Sequence, residues 1–265
     1  RMSLAVVFIF IYFLIRKKSF KVDRIAIAKF FVTGILIALH WIFFFKAIKV
    51  SNVSVALVTM STGAFFVSLI EPLFFKRSIK VLELVLGFCV CIGLYIIFNF
   101  ESQYQLGIFY ALISSLLSAF FSVFNGLFIQ KYDAGKISLY QLFFGVVFIT
   151  VYLLFTNGFS ASFFEISKAD WGYLLILGSI CTAYAFITSV KVMKYLSPYT
   201  VILTLNLEPI YAIILALFIF GEEEKMNPEF YFGAFIVLFV VLLNGMIKNK
   251  NSIRNKIKEK SVSKN

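Results

Sequence analysis

Eight runs of about 20 apolar residues, and a shorter ninth at the start, divide this chain with only short connections between them. That feature constrains its fold more than any other. A hydrocarbon layer about 30 Å thick is crossed by about 20 apolar residues in a helix. The runs fall at about 2–15, 25–48, 53–75, 81–100, 106–130, 138–157, 170–193, 198–220 and 230–247. The chain has 265 residues, of which 61% are hydrophobic and 14% charged; a soluble domain has nearer half and a quarter. One aqueous core could not bury that excess, so the expected class is an all-α integral membrane protein. With 14 Gly and 4 Pro, and with Cys89, Cys91 and Cys181 inside apolar runs, disorder and a disulfide-stapled scaffold are excluded. The short first run is not a signal peptide, because Arg16, Lys17 and Lys18 follow it rather than precede it. We read it as most of a helix whose start, with whatever came before, precedes residue 1.

The net charge of +12 would suggest nucleic acid in a soluble protein. Here it is an orientation signal. Assigning the loops alternately to two sides puts 20 of the 25 Lys and Arg on one side, including Arg16–Lys18, Lys76, Arg77, Lys80 and seven in residues 248–265. The other side holds Arg1, Lys46, Lys49, Lys168 and Lys225. Positive charge stays inside, so the first side, with the C-terminus, is expected in the cytoplasm and Glu222–Glu224 outside. The expected location is a cell membrane crossed many times, most simply a bacterial inner membrane. Residues 248–265 read as a solvated basic tail facing lipid headgroups, and nucleic acid is not an expected partner.

The chain also repeats. A shift of about 145 residues pairs Lys46-Ala47-Ile48-Lys49 with Lys191-Val192-Met193-Lys194, Thr59 with Thr204, Phe75 with Phe220 and Lys80 with Lys225; one residue further, Gly87 meets Gly233. Identities are few, but the span boundaries stay in phase. The shift covers five spans, an odd number, so the two halves run in opposite directions through the membrane. Inverted halves are a hallmark of secondary transporters, whose substrate sites lie near the midplane. The division is 1–103 for a first half short of one helix, 104–247 for the second, and 248–265 for the tail.

These residues resemble the EamA branch of the drug/metabolite transporter superfamily, which is built from two inverted five-helix halves. Arg1-Met2-Ser3-Leu4-Ala5 looks like the Arg that opens the second helix of that family. Leu207-Glu208-Pro209-Ile210-Tyr211, running on to Phe220-Gly221-Glu222, looks like the signature of the second half. The first half departs from it, with Ala64 in the place of Pro209 and Lys76-Arg77 in that of Gly221-Glu222. The resemblance implies a ten-helix inverted-repeat bundle, here with about nine helices, that exports or exchanges small metabolites, often amino acids or related compounds.

Polar groups in hydrocarbon are costly, so their placement carries information. Glu208 lies near the middle of 198–220. Thr200, Thr204, Glu208 and Tyr211 share one face at helical spacing, with Asn206 nearby. Pro209 has no N–H to meet the Leu205 carbonyl. Glu208 is either a carboxylate in a water-filled cavity, meeting a substrate ammonium or a coupling proton, or a structural acid at a kink. Ala111, Ser115, Ser118, Ser122 and Asn125 form a second line on 106–130, which either lines a path or lets helices approach closely. In 170–193, Thr182 and Tyr184 stand on different faces. His40 and Trp41 sit in the outer half of 25–48, as proton relay, hydrogen-bonded structure or interface anchor. Thr59, Ser61, Thr62 and Gly63 occupy the middle of 53–75, the stretch set opposite Glu208 by the repeat register, and Thr59 and Thr62 are the expected cavity-lining residues there. Glu71, one turn from Lys76 and Arg77, is expected to pair with them. Spans 81–100, 138–157 and 230–247 have almost no polar interior and are expected to face lipid or, in a homodimer, a second copy. Asn52-Val53-Ser54 matches a glycosylation sequon in a turn too tight to use it.

The expected function is a secondary transporter that exports or exchanges a small polar, amino-acid-like metabolite by alternating access; the alternatives are a channel and a non-transporting membrane scaffold. An enzyme is not expected. Asp23, Asp133 and Asp170 lie in loops or at helix ends, and one His cannot make the H-E-x-x-H of a zinc enzyme. No cofactor or metal is expected.

Overall fold

The computed structural model describes residues 1–265 except 77, 79, 80, 101, 161, 162, 164, 222–225 and 263–265. Arg77, Lys80, Glu222–Glu224 and Lys225, used above, lie outside the described residues. The regular structure among the described residues is helical: α1 (Met2–Ile15), α2 (Arg24–Val50), α3 (Val53–Met60), α4 (Gly63–Phe75), α5 (Val81–Phe100), α6 (Gln105–Phe128) and α7 (Ala134–Phe155). The second part continues with α8 (Lys168–Gly178), a π-helical turn (Ser179–Tyr184), α9 (Ala185–Val192), α10 (Pro198–Leu205), α11 (Glu208–Phe220) and α12 (Pro228–Val262). Six of these segments, at 24–50, 53–75, 105–128, 134–155, 168–192 and 228–247, are long and apolar enough to cross a membrane, and α1 is a shorter apolar helix.

Side chains cap the helices where the sequence turns. The Asn52 Oδ1 accepts from the Val55 N–H at 2.8 Å, Asp133 from Gly135 and Lys136, and the Ser167 hydroxyl from Asp170 N–H at 3.1 Å. Asn52, the sequon asparagine, is thus a buried helix cap, and its amide also donates to the Met226 sulfur.

Two expected spans are not single helices. In 53–75 the helix stops at Met60 and restarts at Gly63; in 198–220 it stops at Leu205 and restarts at Glu208. The bounds obey the repeat: 53–60 and 63–75 become 198–205 and 208–220 on adding 145. Both joints tighten to a 3-10 turn at equivalent residues. Thr62 N–H bonds the Thr59 carbonyl at 3.1 Å, and Leu207 N–H bonds that of Thr204 at 3.2 Å. Their chemical causes differ. In the first, the hydroxyls of Thr59, Ser61 and Thr62 bond back to the carbonyls of Val55, Val58 and Thr59, competing with the helix ladder before a glycine. In the second, Pro209 cannot donate. The joint also breaks the helical phase, so Thr200 and Thr204 on α10 do not continue regularly onto Glu208 and Tyr211 on α11.

Two compact units divide the chain: Arg1–Ile42 with Phe120–Val201, and Phe43–Ala119 with Ile202–Asn265. In the first, Phe30, Ile37, Ile137 and Leu142 are fully buried. Gly34 and Gly145 bring α2 and α7 together: a Cβ on Gly34 would stand 2.6 Å from the Gln141 carbonyl. In hydrocarbon such close packing, rather than release of water, holds helices together. The expectation that 138–157 faces outward therefore fails for the first half of α7, where Ser138 and Gln141 are fully buried, and holds on the face of Val147, Val151 and Leu154.

In the second unit α5 and α12 pack together through glycines. A Cβ on Gly233 would meet the Gly93 carbonyl at 2.9 Å, and one on Gly93 would meet the Gly233 carbonyl at 3.0 Å. Spans 81–100 and 230–247 thus cover one another on one face, which corrects there the expectation that they face lipid or a second copy. Glu71 is buried.

Candidate functional site

In the second unit the polar side chains gather on the first joint. Thr59, Ser61 and Thr62 are fully or almost fully buried, in contact with Ser115 on α6 and with Asn206 in the turn after α10. The Met60 carbonyl accepts the Ser115 hydroxyl at 3.2 Å, and Ser115 and Thr62 share a hydrogen bond of 3.0 Å. The Ser61 carbonyl accepts the Asn206 amide at 2.8 Å. Interrupting a membrane helix frees carbonyls that must be met by neighbouring side chains, and Ser115 and Asn206 supply the partners here. Asn206 is the repeat equivalent of Ser61, so the two joints touch at matching residues.

The second joint has the opposite character. Asn206 is buried, but Thr204, Leu205, Glu208 and Tyr211 are exposed within this unit. Glu208 opens α11, where the first N–H groups of a helix favour a negative charge. Ser118, on α6, is half-buried. The structure therefore brings Thr59, Thr62 and Asn206 together in a closed joint and leaves Thr204, Glu208 and Tyr211 on an open one.

In the first unit two polar groups stand out. Gln141 donates from its amide nitrogen to the Thr33 hydroxyl at 2.8 Å and to the Asn125 carbonyl oxygen at 2.7 Å, tying α7 to α2 and α6. The second group centres on Arg1. Its Nε donates to the Thr182 hydroxyl at 2.7 Å, and its guanidinium lies 4.7 Å from the centre of the Trp41 ring, a cation–π distance. Thr182 is buried and donates in turn to the Leu177 carbonyl, five residues back, at 2.6 Å. His40 meets the Phe121 ring edge-on at 5.4 Å. Tyr184 is 69% exposed.

Three contributors escaped the sequence reading. Ser61 enters only as one of the polar residues in the middle of 53–75, although the repeat register sets it opposite Asn206. Gln141 stood in a span read as apolar. Arg1 enters the sequence reading only as a family motif and as a loop charge. Its partner Thr182 depends on the π-helical turn, which periodicity at 3.6 residues does not show.

The sequence profile of the EamA-like transporter family matches residues 1–99 and 105–246. An uncharacterized transporter of Clostridium kluyveri is 25% identical over 214 residues, 78% of this chain, and the match spans 66% of that relative's own length. A crystal structure of a protein with 15% sequence identity superposes with a TM-score of 0.65, covering 94% of this chain and 86% of that one; the likeness concerns the fold alone.

Proposed function

The chain belongs to the EamA-like transporter family, and from that membership we propose that it exports or exchanges a small polar, amino-acid-like metabolite by alternating access. The observation that carries this reading is the pair of helix joints at 60–63 and 205–208, in one register of 145 residues. Discontinuous helices of this kind place backbone polar groups and helix ends where a substrate or coupling ion is held. The open joint is the proposed contact: Glu208 meets a substrate ammonium or a coupling proton, with Thr204 and Tyr211 beside it. The closed joint of Thr59, Thr62 and Asn206 opens to ligand when the halves change their packing. Ser118, Asn125, Thr182, Tyr184, His40 and Trp41 line the path.

The excess of Lys and Arg on one side supports a cytoplasmic C-terminus, and the inner membrane of a bacterium is the proposed location. Lipid covers the apolar faces, one of which is the proposed contact with a second copy. Purified protein in proteoliposomes, offered a panel of amino acids with and without a proton gradient, tests the proposal. Saturable uptake is expected, and Glu208→Gln should abolish it or remove its pH dependence. Unchanged transport in that variant would exclude the role given to Glu208. A voltage-driven, non-saturating current would identify a channel instead.

A further inference from the structure

Residues 16–24, which join α1 to α2, carry Arg16, Lys17, Lys18, Lys21 and Arg24 against one acid, Asp23. In the first unit this connection is strapped to the turn between α6 and α7. Lys18 Nζ pairs with Asp133 Oδ2 at 3.6 Å. Lys136 donates to the Lys21 carbonyl at 2.8 Å, and the Tyr140 hydroxyl to the Phe20 carbonyl at 2.9 Å. The Tyr132 hydroxyl donates to Asp23 at 3.4 Å, and the Phe20 ring packs on Phe13 at 5.3 Å. The strap is therefore fixed, and its contacts occupy both Asp23 and Asp133. Its remaining cations are not occupied. Arg16, Lys17, Lys21 and Arg24 are exposed, and their side chains make no hydrogen bond or ion pair among the described residues.

We propose that this strap is the docking surface for an anionic phospholipid, whose headgroup meets Arg16, Lys17, Lys21 and Arg24. The inference goes beyond the transport reading and does not depend on the substrate. Arg and Lys make charge-assisted hydrogen bonds to phosphate oxygens, and clusters of them beside a membrane segment attract anionic headgroups. Two observations select a lipid rather than a soluble anion. The strap lies where α2, α6 and α7, each long and apolar enough to cross a membrane, begin or end. Leu14 and Ile15 at the end of α1 and Ile25 at the start of α2 are exposed apolar side chains flanking the cations in the chain, suited to the acyl chains of the same molecule. The backbone supports a binding role for Lys17. Its φ is +48°, and it closes α1 with its N–H on the Leu14 carbonyl and that of Lys18 on the Phe13 carbonyl. Glycine is the usual residue in that conformation; a lysine there keeps a charge at the cost of backbone strain, and such strain gathers at functional positions.

Native mass spectrometry of the full chain, released from a neutral detergent, counts bound lipids. Phosphatidylglycerol should bind saturably and phosphatidylcholine with the same acyl chains more weakly. Lys17→Gln with Lys21→Gln should weaken phosphatidylglycerol about fivefold per charge removed. Lys49→Gln with Lys168→Gln removes the same charge from exposed positions elsewhere and should leave binding unchanged. Lys17→Gly suits the backbone, so it should keep or raise the melting midpoint while weakening the lipid about fivefold; it serves if the double variant does not fold. Glycerol phosphate and inorganic phosphate, added in excess, should not displace the lipid. Equal binding of the two lipids would overturn the proposal, as would equal losses in the two double variants or unchanged binding in Lys17→Gly. Displacement by either soluble phosphate would overturn it too, by showing a site for a free anion.

Discussion

The closed joint between α3 and α4 yields a quantitative prediction. Two side chains from outside the joint meet its freed carbonyls, Asn206 at Ser61 and Ser115 at Met60. Asn206→Ala removes an interhelical hydrogen bond, about 0.6 kcal/mol on average within membranes. It also leaves the Ser61 carbonyl without that donor. Ser61 is 0% exposed, so water does not replace it, and an unsatisfied buried group costs about 1–3 kcal/mol. The variant should lose about 2 kcal/mol. Ser115→Ala should lose less, about 1 kcal/mol: its contacts with Met60 and Thr62 go, but Thr62 keeps its bond to Thr59. The double variant is the informative one. With both outside donors gone, 60–63 can straighten, and the N–H groups of Ala64 and Phe65 can take up the two carbonyls in ordinary helical register. The combined loss should fall short of the sum by about 1 kcal/mol, beyond the roughly 0.3–0.5 kcal/mol scatter of independent sites. Reversible unfolding in mixed micelles with increasing SDS, followed by circular dichroism, measures all four corners of the cycle. Strict additivity would refute the claim that these residues hold one common joint.

Other predictions follow from the same geometry. Gly233→Ala puts a methyl group 2.9 Å from the Gly93 carbonyl and should destabilise by about 1–3 kcal/mol. Gly172→Ala, on α8 with open space around it, should stabilise by about 0.5–1 kcal/mol, and melting the two variants side by side gives the contrast. Asn52→Ala should cost about 1 kcal/mol through loss of the α3 cap, and Asn52→Ser should recover most of it in the same assay. Gln141→Leu, which removes the donor shared by Thr33 and Asn125, should lower the melting midpoint. Thr33→Val should lower it less, since Gln141 then keeps Asn125.

Much of the fold was legible because a bilayer makes the code simple. Segment length and apolarity define the crossings, so the expected spans and the observed helices agree to within a few residues at most ends. The register of 145 residues was legible too, since it survives in span boundaries where identities are scarce. The joints were only half legible. Pro209 announces the second, but the first has Ala64 in that place and is made by three backbone-seeking hydroxyls within four residues, followed by a glycine. Helical phase misled in two places for a shared reason. A 3-10 turn and a π-helical turn each change the rotation per residue, so a face drawn through 198–220 or 170–193 at constant phase is not the face the chain presents.

The sequence by itself determined that this chain is built of apolar helices suited to lipid, and where most of those helices begin and end. These follow from the cost of exposing apolar side chains to water and backbone amides to hydrocarbon, which each residue feels locally. Only the tertiary structure decided which polar groups meet. Gln141 joins Thr33 and Asn125, Asn206 reaches the Ser61 carbonyl, and Arg1 finds Thr182 and Trp41. Those pairings span up to 181 residues of sequence. They depend on ångström-scale approaches set by glycines such as Gly34 and Gly145, which no local pattern encodes.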